Sequence, residues 1–127
     1  MIKTINIQEE YSAYFYKNTI TGKIPVKEYI NDLTEKQRAK VLRYIEFLRV
    51  NKGYLDEPYS RHITGKIREL RIDFGGNHHR IFYFTFAGKR IILLHGFLKH
   101  TSKTPKQEII KAQSNYYDFI NSYEKKI

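Results

Sequence analysis

The chain has 127 residues, with 23 Lys and Arg against 13 Asp and Glu, a formal net charge of +10, a pI near 9.7, and neither cysteine nor tryptophan. That length suits one domain over residues 1–127, burying roughly two thirds of the chain's surface around one core, and leaves no room for two enzymatic lobes. The missing cysteines exclude disulfides, thiol nucleophiles and thiolate metal sites, and without an apolar run near ~20 residues or an apolar signal core, a cytoplasmic chain without membrane contact is expected.

Residues 1–10 carry no clear pattern. Residues 11–17 (YSAYFYK) are short and aromatic-rich, which predicts a strand, and residues 19–23 around Gly22 predict a turn. Pro25 suits the first position of a short helix through Leu33, where its missing N–H would be unpaired in any case. Thr34 and Gln37 then have capping-box spacing, and Val41, Leu42, Ile45 and Leu48 recur at helical spacing until Gly53 stops the run. The polar side of this second helix, Lys36, Lys40, Arg43 and Glu46, reads as a solvated face.

From Ile67 the period drops to two. Leu70, Ile72 and Phe74 alternate with Glu69, Arg71 and Asp73, and Gly75-Gly76-Asn77 supplies a turn that tolerates positive φ. Residues 80–86 (RIFYFTF) form the returning arm, residues 87–89 turn again, and residues 90–98 (RIILLHGFL) are nearly continuous apolar, as in a central strand. Thr104 as N-cap, Pro105 at the first position and Gln107 closing a capping box open the last helix. Its buried stripe is Ile109, Ala112, Tyr116, Phe119, Ile120 and Tyr123. The predicted order β-α-α-β-β-β-α describes an α+β domain. Its helices should pack on one face of a small, mainly antiparallel sheet, leaving part of the other face for a partner.

Charge is concentrated. Residues 61–103 hold nine basic and two acidic side chains and all five histidines, His62, His78, His79, His95 and His100. Such a segment attracts polyanions, nucleic acid first among them. His78 and His79 would point to opposite sides of a strand with only Glu69 and Asp73 near them, so neither a metal nor another cofactor is expected. Gly75-Gly76 joins two strands and does not lead into a helix, so a phosphate-binding loop is unsupported. What remains are strand and loop cations: Arg71, Arg80, Lys99, His100 and Lys103. Such a cluster suits phosphodiester cleavage, whose transition state accumulates negative charge that fixed cations stabilise. A proton acceptor and donor are also needed, and His100, His79 or Glu69 could serve. His95, inside an apolar strand, reads as a hydrogen-bonded core residue.

The segments GKIRELR at residues 65–71, RIFY at 80–83 and LLHGFLKHTSKTP at 93–105, with GKIPV at 22–26, resemble the HigB-type, phage-related branch of the RelE/ParE toxin superfamily. The resemblance spans about residues 14–112. It implies a type II toxin–antitoxin toxin: a cytoplasmic, ribosome-dependent mRNA endonuclease acting without metal and silenced by a cognate antitoxin, of the helix-turn-helix HigA kind. Operator DNA would be reached only through that antitoxin. By motif position, Arg71, Arg80 and either Lys99 or His100 match the family's catalytic cations. Glu69 stands where the family can carry Lys, so its part in proton transfer is a departure. Arg68, His79, Tyr83 and Lys103 complete the expected RNA-binding set. The competing reading is a ParE-like, non-nucleolytic inhibitor of DNA gyrase. A stand-alone DNA-binding regulator is disfavoured, because no helix-turn-helix pair with an exposed recognition helix is present.

Overall fold

A computed structural model describes residues 10–125; residues 1–9 and the last two residues of the expected domain lie outside them. Eight elements follow in order: β1 (Ser12–Phe15), α1 (Pro25–Asn31), α2 (Glu35–Val50), β2 (Ser60–Thr64), β3 (Ile67–Phe74), β4 (Asn77–Phe86), β5 (Arg90–Lys99) and α3 (Lys106–Lys125). The strands form one sheet in the order β1-β5-β4-β3-β2, with β1 parallel to β5 and every other pairing antiparallel. This is the α+β class and the mainly antiparallel sheet read from the sequence. The meander β3-β4-β5 is intact, and one further strand, β2, precedes it at the sheet edge. SRHIT is short, polar and interrupted by a register shift between His62 and Thr64, so it carries no twofold apolar signal.

Local chemistry explains the helices. Pro25 opens α1, and Thr34 caps α2 by accepting from the Gln37 N–H at 3.4 Å. Gly53 ends α2 with φ of 80°, its N–H donating to Leu48 O at 2.9 Å; a Cβ there would lie 2.5 Å from Thr85 Oγ1. Leu42, expected in the core, faces solvent on α2. At α3 the Ile109 N–H bonds Pro105 O, so Pro105 occupies the cap position foreseen for Thr104, whose hydroxyl is used elsewhere.

Alternation along the strands divides the core in two. Leu70, Ile72, Ile81, Tyr83, Ile91 and Leu93 meet Val26, Ile30, Val41, Ile45 and Leu48 from α1 and α2. Phe82, Phe84, Ile92, Leu94 and Phe97 turn the other way, onto Ala112, Ile109, Tyr116, Phe119 and Ile120 of α3. The helices therefore cover both faces, a correction to the one-face packing expected. The reason is that β4 and β5 are apolar at consecutive positions, Ile81 to Phe84 and Ile91 to Leu94, so each face needs a cover. Each of these fully buried side chains contributes roughly 1.5–3 kcal/mol. Edge-on ring contacts such as Phe84–Tyr116 and Phe86–Tyr123, both 4.7 Å between centroids, fix where α3 lies. His95 on β5 bonds Glu108 in its first turn, so beyond that point the sheet extends past the helix.

Candidate active site

Charges gather on the α3 face beyond His95 and Glu108. Register pairs Arg61 with Glu69, Arg71 with Arg80, Asp73 with His78, and His78 with Lys99. Residues paired across strands share a face. Arg61, Glu69, Arg71, Asp73, His78, Arg80 and Lys99 thus stand together, beside the N-terminus of α3.

Glu69 is the buried centre of this cluster. Thr104 Oγ1 donates to its Oε2 at 3.1 Å, tethering the start of α3. Its Oε1 faces Arg71 Nε at 3.8 Å and Arg61 Nε at 4.0 Å, separations of ion pairs and too long for hydrogen bonds. Glu69 Oε1, Arg71 Nε and Arg80 Nε are buried without a hydrogen-bond partner. Arg80, only 3% exposed, donates through Nη1 to Asp73 Oδ1 at 2.8 Å and to His79 O at 3.0 Å. Partial burial alone would raise the Asp73 carboxyl, yet hydrogen bonds from Arg80 and His78 hold it below the usual range, so it is ionised. Burial pushes the Lys99 ammonium down; Glu69 opposes this, and Arg80, Arg71 and Arg61 add to the drop.

Leaving a buried donor unpaired costs about 1–3 kcal/mol. Four cations and two carboxylates thus gather here, with two guanidinium nitrogens and one carboxylate oxygen buried without a hydrogen-bond partner.

Residues 28–117, including every member of this cluster, match the family described as phage derived protein Gp49-like. The chain belongs to this family. Two relatives from Mycobacterium tuberculosis, strains CDC 1551 / Oshkosh and H37Rv, are each named probable endoribonuclease HigB1. Each is 30% identical to this chain over 98 residues, covering 77% of this chain and 76% of the relative. The Gp49-like chain is thus HigB-like, as the sequence motifs implied.

Of the residues singled out in the sequence of this Gp49-like protein, the structure brings together Glu69, Arg71, Arg80 and Lys99. His100 and Lys103 lie in the exposed loop that follows Lys99. The structure turns Arg68, His79 and Tyr83 to the α1/α2 face, away from the cluster. His79 Nδ1 accepts from the Tyr29 hydroxyl at 2.6 Å, and its Nε2 bonds Gln37 Oε1 at 2.6 Å. Tyr83 is buried, sharing a 2.7 Å hydrogen bond with Ser60. Arg68 donates to Ser60 and covers the Tyr54 ring at 4.8 Å. His79 and Tyr83 are both buried there. His95 is hydrogen-bonded to Glu108 at 2.8 Å, as expected of it. Three members were not singled out as site residues: Asp73 and His78, and Arg61, which rides on the unrecognised β2. Among the described residues no three His, Asp or Glu side chains gather as metal ligands.

Proposed function

We propose that this HigB-like protein is the toxin of a type II toxin–antitoxin pair and an endoribonuclease that cuts mRNA on the ribosome. The carrying observation is the cluster of Arg71, Arg80 and Lys99 around buried Glu69, with guanidinium nitrogens left unpaired. The names of the HigB1 relatives support the ribonuclease reading.

In the proposed reaction the RNA 2′-oxygen attacks the adjacent phosphorus, the P–O5′ bond breaks, and a cyclic phosphate and a 5′-hydroxyl result. Arg71 and Arg80 neutralise charge on the pentavalent phosphorus, with no metal required. Lys99, whose lowered pKa raises its neutral fraction, takes the 2′-hydroxyl proton, and His100 next to it supplies the proton to the leaving oxygen. Glu69 holds the cations in place through Arg61, Arg71 and Thr104. The partners are message on the ribosome and a cognate, HigA-like antitoxin that alone carries the pair to operator DNA, all in the cytoplasm.

Primer extension on message from a translating extract tests this reading: new 5′ ends should appear with the protein and persist under zinc-specific chelation that spares ribosomes. Intact message together with inhibited gyrase supercoiling would favour the ParE-like reading.

A further inference from the structure

A second concavity adjoins the cluster. Where β2 leaves β3, the Arg71 N–H bonds Tyr59 O at 2.9 Å; beyond it, the β3 edge is met by Lys40, whose Nζ donates to Asp73 O. Lys40 therefore leaves the solvated face expected for it and lies over the rings of Tyr44 and Phe74, 5.6 and 5.9 Å from their centroids. A cavity of about 190 Å³ opens here, lined by Lys40, Tyr44, Pro58, Tyr59, Arg71 and Asp73.

Size, surface and charge choose its occupant. The volume falls below the roughly 300–1,000 Å³ of most small-molecule sites and suits one planar ring system. Tyr59, 49% exposed and held edge-on by Tyr44 at 6.2 Å, offers a flat aromatic wall of the kind on which bases stack. The ionised Asp73 accepts from an amine, its bonds to Arg80 and His78 both using Oδ1 and leaving Oδ2 as the acceptor, while Lys40 and Arg71 on the same lining suit the phosphates that flank a base. Arg71 belongs both to this lining and to the cluster around Glu69, so a phosphate held there by Arg71 puts its neighbouring base within reach of Tyr59.

We infer that this cavity holds one unpaired RNA base flanking the cut, stacked on Tyr59 with its exocyclic amine toward Asp73, which favours adenine, cytosine or guanine over uracil. This site rests on the endoribonuclease reading. Messages with an abasic nucleotide at each of three positions either side of the cut, on programmed ribosomes, test it. At one position the abasic message should be cut about 5- to 150-fold more slowly by the wild type, the range of base–aromatic stacking. Tyr59→Ala should slow the intact message as much and show no further loss at that position, while Tyr59→Phe should cut like the wild type. Cleavage of the intact message by Tyr59→Ala at the wild-type rate, with melting showing it folded, would overturn the inference. So would an abasic loss undiminished in Tyr59→Ala. Quenching of 2-aminopurine in a short RNA separates the two claims. Quenching that depends on Tyr59 without any cleavage would keep the base site and sink the nuclease, and cleavage without such quenching would do the reverse.

Discussion

His79 and Arg80 are consecutive on β4 and nearly equally buried, 1% and 3% exposed, yet only His79 has every polar side-chain atom hydrogen-bonded. On the α1/α2 face, both ring nitrogens of His79 are paired, with Tyr29 and Gln37. Burial, then Arg80, lowers the His79 pKa and keeps the ring neutral; burial likewise pushes the Tyr29 phenol up to about 12. Gly96 makes room for that pair, since a Cβ there would stand 3.1 Å from the Tyr29 ring. On the α3 face, Arg80 Nε, Arg71 Nε and Glu69 Oε1 are buried and unpaired. A fully hydrogen-bonded buried group stabilises one fold, whereas guanidinium groups that keep an N–H without an acceptor leave the cluster incompletely satisfied.

The sharpest way to break this contrast is to remove the unpaired side. Replacing both cations, Arg71→Ala with Arg80→Ala, should lower cleavage by at least about 100-fold, the scale of losing preorganised charge stabilisation. Near-wild-type cleavage in primer extension would put the site elsewhere. Truncating the paired side should do the opposite. His79→Leu strands Tyr29 and Gln37 and should cost about 2 kcal/mol in a urea melt, with the rate per folded molecule unchanged. Because the His79 pKa is lower in the folded state, wild-type stability should fall as pH drops below the ordinary histidine value, and the variant should lose that dependence.

Much of this contrast was legible in the sequence. Residues 75–77 read as the turn, whereas the chain turns on Gly75 and Gly76 alone, pairing Phe74 with Asn77, and that register sets Arg71 opposite Arg80. The same arithmetic sets His79 opposite Ile72, on a core face, and so carried the signal that His79 belongs to the interior. Arg68 and Tyr83, paired with each other, follow the same parity. Two things were hidden. β2 is polar and bulged, and Arg61 with it. The position of α3 depends on which face its aromatic stripe covers, and a stripe alone does not name a face.

Smaller effects sharpen the account of Lys99 and Glu69. Since the folded pKa of Lys99 is lowered, its proton is held more tightly in the unfolded chain, so its burial destabilises the fold at neutral pH and less so as pH rises through the lowered value. Lys99→Met should therefore raise stability at neutral pH while cutting RNA more slowly. In thermal melts, the gap to wild type should close at high pH. Glu69→Gln removes the charge that raises the Lys99 pKa, so the Lys99-dependent limb of the pH–rate profile should move to lower pH. Thr104→Val should cost the least, about 1 kcal/mol, by freeing the start of α3 from Glu69.

The most direct measurement is single-turnover cleavage of a message on programmed ribosomes by the wild type and by Arg71→Ala/Arg80→Ala, each shown folded by its melt. The predicted result is discrete new 5′ ends with the wild type and loss of at least about 100-fold in the double variant. Equal cleavage by both, or none by the wild type, would contradict a ribonuclease site built on Arg71 and Arg80 of the α3 face.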